Sequence, residues 1–135
     1  MTETIFTKIV NGEIPASKVY EDDDFLAFMD ISPVNKGHVL LITKEVFPTL
    51  NDMTEEMVGR MFQIVKMLTG PVMKASGAPM FNWYVIGDEV PHAHVHIVPR
   101  FEDDGAMRLE HKNYDEKEID EYAESIRKEL DKNTQ

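Results

Sequence analysis

Three of the chain's five histidines occupy alternate positions in one short stretch, Pro91-His92-Ala93-His94-Val95-His96-Ile97-Val98-Pro99-Arg100. On a β-strand the side-chain period of two puts all three imidazoles on one face, about 6.6 Å apart in succession. Ala93, Val95 and Ile97 then face the other way, toward a core. On a helix the same residues would scatter around the circumference. Aligned imidazoles allow three readings. They can be polar residues satisfied by their neighbours. They can be the start of a metal site, with His92 and His94 joined by His38 from another strand in a three-histidine zinc arrangement. Or they can be a nucleophile with supporting donors. Imidazole is half-neutral near physiological pH, attacks phosphorus, and leaves again. Flanking histidines can hold its tautomer and donate to phosphoryl oxygens.

The elements that must position them follow from periodicity and punctuation. Residues 5–11 form one or two helical turns, ended by Gly12. Residues 17–21 and 25–29 read as strands around the acidic turn Asp22–Asp24, which suggests an antiparallel hairpin. Ile31-Ser32-Pro33 breaks the second strand. His38 to Thr43 is an apolar, β-branched run typical of a buried strand. Met57, Met61, Ile64, Val65, Leu68 and Val72 recur at helical spacing. Asp52 with Glu55 resembles a capping box, and Gly70-Pro71 is expected to kink or end this helix. Phe81–Ile86 is a fourth strand, with Phe81, Trp83 and Val85 on one face and Asn82, Tyr84 and Ile86 on the other. Both faces need cover, from helices or from a second subunit. His92–Val98 is a fifth strand, ended by Pro99. Asp115 with Glu118 makes another capping pattern, ahead of a C-terminal helix with Ile119, Tyr122, Ala123, Ile126 and Leu130 along one face. The pattern is α+β, with a mostly antiparallel five-stranded sheet and two main helices.

Composition narrows the function classes. The 135 residues suit one domain. The absence of cysteine excludes disulfides, thiolate metal sites and a cysteine nucleophile. With 25 acidic residues against 14 basic ones the formal charge is −11, which argues against a nucleic-acid partner. No apolar run approaches a membrane span. The N-terminus lacks a basic stretch leading into an apolar one, so a cytoplasmic protein is expected.

The histidine stretch resembles the signature of the histidine triad (HIT) superfamily, in which three histidines alternate with apolar residues. The resemblance covers residues 4 to about 103. Ile5-Phe6-Thr7-Lys8-Ile9, Glu13-Ile14-Pro15, Tyr20-Glu21-Asp22 and Phe28-Met29-Asp30-Ile31-Ser32-Pro33, then Gly37-His38, match the family's N-terminal pattern in order. What the resemblance implies is a HIT-like α+β domain and a homodimer with a joined sheet. It also implies a nucleotide site whose chemistry is hydrolysis or transfer at the α-phosphate. The expected substrates are purine nucleotide derivatives of the phosphoramidate type, with dinucleoside polyphosphates as the alternative. A non-catalytic nucleotide-binding module and a histidine-ligated metalloenzyme are the alternatives of other classes. By resemblance, His94 is the nucleophile that carries a nucleotidyl intermediate. His92 and His96 flank it, and His38 belongs to the polar network behind the triad. Asp30 matches the carboxylate that accepts from the ribose hydroxyls. Ile5, Phe6, Ile9, Phe28 and Ile31 match the apolar wall around the base, although ordinary core is an equal reading. Asn82 lies close to the family's asparagine beside the phosphate.

The chain departs from the family at Gly87-Asp88-Glu89-Val90, where Asp88 and Glu89 replace a neutral phosphate-binding pair. Two carboxylates there would repel phosphate unless Mg²⁺ bridges them, they turn outward, or the substrate differs. Thr4, Thr7 and Val46 occupy the places of three zinc ligands found in some relatives. No structural zinc, and no required cofactor, is therefore expected. The tail from Met107 onward matches nothing. His111 reads as a surface residue, and Arg100 as a salt-bridge residue or a phosphate contact.

Overall fold

The computed structural model describes residues 3–87, 90–104 and 111–133. A short helix α1 (Ile5–Val10) leads into β1 (Lys18–Glu21), β2 (Phe25–Met29) and β3 (Val39–Thr43). The long helix α2 (Glu55–Ser76) follows, then β4 (Met80–Tyr84), β5 (His94–Arg100) and α3 (Glu118–Asn133). The strands form one five-stranded sheet, ordered β1-β2-β3-β5-β4, with every neighbouring pair antiparallel. The expected α+β architecture is the one observed.

The alternation of β2, β3 and β5 divides the core in two. Phe25, Ala27, Met29, Leu41, Val95 and Ile97 point to the side covered by α2 and α3. Leu26, Phe28, Leu40 and Ile42 point to the side covered by α1 through Phe6 and Ile9. All three strands are buried along their whole length. Each fully buried Leu or Ile here stabilises the fold by roughly 1.5–3 kcal/mol. Among the described residues no helix is long and apolar enough to cross a membrane.

Four expectations are corrected. Helix α2 does not end at Gly70-Pro71 but runs on to Ser76, and Gly77 closes it at φ 75°. An internal proline costs about 3 kcal/mol, yet Leu68 and Val72, both fully buried, fasten the helix to the core on either side of it. The helix starts not at Asp52 but at Thr54, whose hydroxyl accepts from the amide of Met57; Asp52 instead accepts from Thr49 in a preceding 3₁₀ turn. Strand β5 starts two residues later than expected and passes through Pro99. Pro99 is tolerated because its carbonyl faces away from β4, accepting from Asn35 Nδ2 at 2.8 Å. Its missing N–H therefore falls on that side, beyond the last paired residue of β3. The fourth strand ends at Tyr84, short of Ile86.

Gly37 sets up the entry to β3. Its φ of 105° is closed to most side chains, and an added Cβ would lie 3.2 Å from Ser76 Cβ and 3.4 Å from Pro99 Cγ. The backbone thus passes close to the end of α2 just before His38.

Candidate active site

Strand β5 lies between β3 and β4, so its side chains are framed by neighbours on both sides. His94 stands opposite Ile42, and His96 opposite Leu40 on one side and Tyr84 on the other. Their face of the sheet is the one covered by α1. His92 is not on the strand. Its amide turns back to Val90 O, and the amide of Ala93 goes to Phe47 O. His92 thus precedes the strand and is held by different main-chain neighbours, yet its ring meets Phe6 at 5.5 Å between centroids, on the same α1-covered side as His94.

Hydrogen-bond partners assign the proton positions. Thr43 O can only accept, so His92 Nε2, 2.6 Å away, carries a proton. His92 Nδ1 then accepts from Thr4 Oγ1 at 2.7 Å. Both ring nitrogens are thus engaged, and burial lowers the pKa of His92, which favours the neutral ring. The carbonyl of His92 in turn accepts from His94 Nδ1 at 2.6 Å. That bond leaves the lone pair of His94 on Nε2.

The second chain begins on a backbone amide. Val34 N donates to His38 Nδ1 at 3.1 Å, so the proton of His38 is on Nε2. This Nε2 lies 2.9 Å from His96 Nδ1, which accepts. His96 therefore carries its proton on Nε2, and that atom is buried with no hydrogen-bond partner among the described residues. Burial, then the neighbouring imidazoles, push His38 down to about 3 and His96 down to about 4. Both rings are neutral at physiological pH. The site thus offers a free lone pair on His94 beside a free N–H on His96, with ring centroids 5.2 Å apart.

The five residues expected around a base separate into two groups. Phe6, Ile9 and Phe28 are buried in the α1-side core, and the Phe6 ring meets His94 edge-on with centroids 5.1 Å apart. Ile5 and Ile31 are exposed, at 52% and 78%, and present apolar surface to solvent. Asp30 follows β2, where its Oδ1 accepts from the amide of Ser32 and its Oδ2 lies 3.6 Å from His38 Nε2. Val85, Ile86, Val90 and Leu50 line a small cleft that opens at His94. Asn82 lies opposite Val98, four residues along β5 from His94. Within this chain it is not brought to that ring, and its Oδ1 accepts from Tyr84 Oη at 3.2 Å. Asp88 and Glu89 lie outside the described residues. Arg100 is buried and lies 3.5 Å from Asp104, consistent with the salt-bridge reading.

Several supporting groups carry no mark in the sequence. Thr4, Thr43, Val34 and Tyr84 join the site through a cap hydroxyl, main-chain atoms and strand register, none of which a residue pattern displays. One potential ligand atom each from Asp30, His38 and His96 lie within 4.8 Å of one another. A cation there would need the lone pair of His38 Nε2, the position that Val34 N–H keeps protonated.

The HIT domain family profile matches residues 11–103. An uncharacterised HIT-like protein of Methanocaldococcus jannaschii is 44% identical over 76% of this chain and 83% of its own length. The purine nucleoside phosphoramidase of Escherichia coli K12 is 36% identical over 71% of this chain and 86% of its own. Among solved structures, a Hit-like protein of Bartonella henselae superposes with a TM-score of 0.81 at 34% identity, covering 93% of this chain and 95% of that one. Family profile, relatives and fold agree, and the chain belongs to the HIT family.

Proposed function

We propose that this chain is a nucleotide hydrolase or nucleotidyl transferase acting at the α-phosphate of purine nucleotide derivatives, phosphoramidates among them, with His94 as nucleophile. The observation that carries the reading is the 2.6 Å bond from His94 Nδ1 to the carbonyl of His92. It leaves the Nε2 lone pair for attack and compensates the positive charge that grows on the ring. In the first step the Nε2–P bond forms as the bond from phosphorus to the leaving group breaks. In the second, water attacks phosphorus, the P–N bond breaks and neutral imidazole returns. His96 Nε2–H donates to a phosphoryl oxygen as charge builds there. His96 acts as a hydrogen-bond donor and not as an acid, because loss of its proton while Nδ1 accepts from His38 would leave an imidazolate. The leaving atom takes its proton from solvent. Asp30 accepts from the ribose diol, and Ile5 and Ile31 flank the base.

The relatives support the substrate class. The Escherichia coli protein is named a purine nucleoside phosphoramidase, and a Schizosaccharomyces pombe relative, 37% identical, an adenosine 5'-monophosphoramidase. No organic cofactor and no structural zinc enter the proposal. Thr4 and Thr7 hold each other's caps and Thr4 holds His92, which commits their hydroxyls. A homodimer is part of it. The edge strand β4 leaves Met80, Phe81 and Trp83 exposed, with Val85 just beyond, which suits pairing with a second copy. Sedimentation at monomer mass would count against the dimer.

The test is release of AMP from an adenosine phosphoramidate and from a diadenosine polyphosphate, by wild type and His94→Ala, in EDTA and in Mg²⁺. Release in EDTA that vanishes in the variant supports metal-independent imidazole catalysis, and the faster substrate selects the branch. Loss in EDTA with recovery in Mg²⁺, sensitive to Asp88→Gln, would give Asp88 and Glu89 a cation. Release that survives His94→Ala refutes the nucleophile.

A further inference from the structure

The segment His111–Tyr114, which matches no family pattern, crosses the loop that leads into His38. Five residues of that loop bond to it. His111 Nδ1 donates to Ser32 O at 2.5 Å, and the amide of Lys112 donates to Pro33 O at 2.6 Å. Lys112 Nζ reaches Val34 O at 3.1 Å and Asn35 Oδ1 at 2.5 Å. Tyr114 Oη accepts from the amide of Gly37 at 2.8 Å. Asn35 is itself buried and tied to Pro99 O and Asp104 Oδ2.

One of these bonds acts on the histidine chain directly. Pro33 O and Val34 N belong to the same planar peptide unit. The segment holds the oxygen end of that unit, and the other end donates to His38 Nδ1. Fixing the oxygen fixes the direction of the N–H, and bonding at one end polarises the other. Lys112 Nζ then holds the next carbonyl, so the unit cannot rotate without breaking bonds on both sides. The orientation of this single peptide decides which nitrogen of His38 is protonated. Through the 2.9 Å contact it also decides which nitrogen of His96 is.

We infer that residues 111–114 form a positioning strap, anchored by Lys112 and Tyr114, that holds the 33–34 peptide and thereby keeps the His96 proton on Nε2. The inference rests on the proposed reading for its effect on turnover, but not for its effect on the tautomers. Lys112 and Tyr114 are positioning residues. Neither is assigned to the substrate.

The experiment compares wild type, Lys112→Ala, Lys112→Arg and the double variant Lys112→Ala/Tyr114→Phe. Lys112→Ala and the double variant keep the amide at position 112 and remove side-chain anchors that seat it on Pro33 O. Nitrogen-15 spectra of the imidazoles report the tautomers of His38 and His96, and AMP release from an adenosine phosphoramidate reports turnover. The double variant is expected to show mixed tautomers at both rings, with kcat lowered about tenfold and KM changed less than about twofold. Lys112→Arg should restore both readouts. Tyr114→Phe keeps the ring in its packing position, so the fold survives, and thermal melting checks that. Unchanged tautomers in the double variant overturn the strap even if the enzyme is active. Should wild type release no AMP, the proposed function fails and the nitrogen-15 spectra still decide the strap.

Discussion

Replacing Thr4 by valine keeps the shape of the side chain and removes one hydroxyl with two duties. The first is to cap α1, where Thr4 Oγ1 accepts from the amides of Phe6 and Thr7 at 3.2 and 3.3 Å. Losing an N-cap costs about 1 kcal/mol. The second is to donate to His92 Nδ1, in a ring with no exposed surface. A buried acceptor left without its donor costs about 1–3 kcal/mol. Together these destabilise Thr4→Val by roughly 2–4 kcal/mol, a fall in Tm on the order of 10 °C for a chain of this length. Thr4→Ser retains the hydroxyl and should recover most of the loss. Thr7→Ala removes the bond to the amide of Thr4 and a long 3.4 Å contact between the two hydroxyls, and should cost about 1 kcal/mol or less. The assay is thermal melting of the four proteins with AMP release measured alongside. Turnover should fall in Thr4→Val, because the carbonyl that orients His94 belongs to the residue that has lost its anchor. A Tm within about 3 °C of wild type for Thr4→Val, or no difference between Val and Ser, would refute the view that His92 is held by this hydroxyl.

Stability should depend on pH through the buried imidazoles. The folded pKa values of His38 and His96 lie below the unfolded value of 6.5, so the unfolded chain binds more protons as pH falls through 6.5. Their contribution is whole above pH 6.5 and is lost as pH falls toward about 4 for His96 and about 3 for His38, by up to ~1.4 kcal/mol per pH unit for each ring. Urea midpoints between pH 6.5 and 4.5 should therefore drop steeply in wild type and less in His38→Asn. Equal slopes would contradict the burial of a neutral His38. Gly37→Ala should destabilise by about 1–3 kcal/mol in urea, because of its φ of 105° and the 3.2 Å approach to Ser76. A neutral variant would show that the backbone relaxes there. Because no acid of suitable pKa is assigned to the leaving atom, AMP release from a series of adenosine 5'-aryl phosphates should speed up as the phenol becomes more acidic. A flat series would reveal a proton donor in the site.

The parts of the fold that sequence reading recovered are those where one local property dominates. Strand β2 has the expected bounds, because Phe25–Met29 is apolar throughout and fenced by the Asp22 turn and the Asp30 turn. Pro71 and Pro99 misled for a shared reason. Local chemistry says break, but burial of Leu68 and Val72 outweighs it in the helix, and the end of β3 makes it harmless in the strand. The site was legible at the level of residue type. Alternation brought His94 and His96 to one face, and the family resemblance added His38 behind them. The departure of His92 from the strand was not legible, because it depends on Ala93 N reaching Phe47 O, a bond between segments far apart in the chain. Nor could proton positions be read, since they depend on Thr43 O, His92 O and Val34 N. For Ile5, Phe6, Ile9, Phe28 and Ile31, sequence left core and wall evenly matched. Solvent exposure of Ile5 and Ile31 alone separates them.

Those proton positions bear on how the chain tolerates change. Each ring in the constellation has one nitrogen tied, directly or through a second ring, to a main-chain atom. Every amino acid supplies the same carbonyl, and every one but proline the same amide. Substitution at Thr43 or Val34 can alter packing, but it leaves the polar group that faces the imidazole in place. The electronic state of these rings is therefore insulated from the identity of much of their surroundings. Under the proposed function, the apolar rim can be redesigned for a new base or leaving group while His94 keeps its lone pair on Nε2. An engineer seeking altered specificity would then have the freest choice at Ile5, Ile31, Val85, Ile86 and Val90. The positions to leave alone are those that set the path of the backbone.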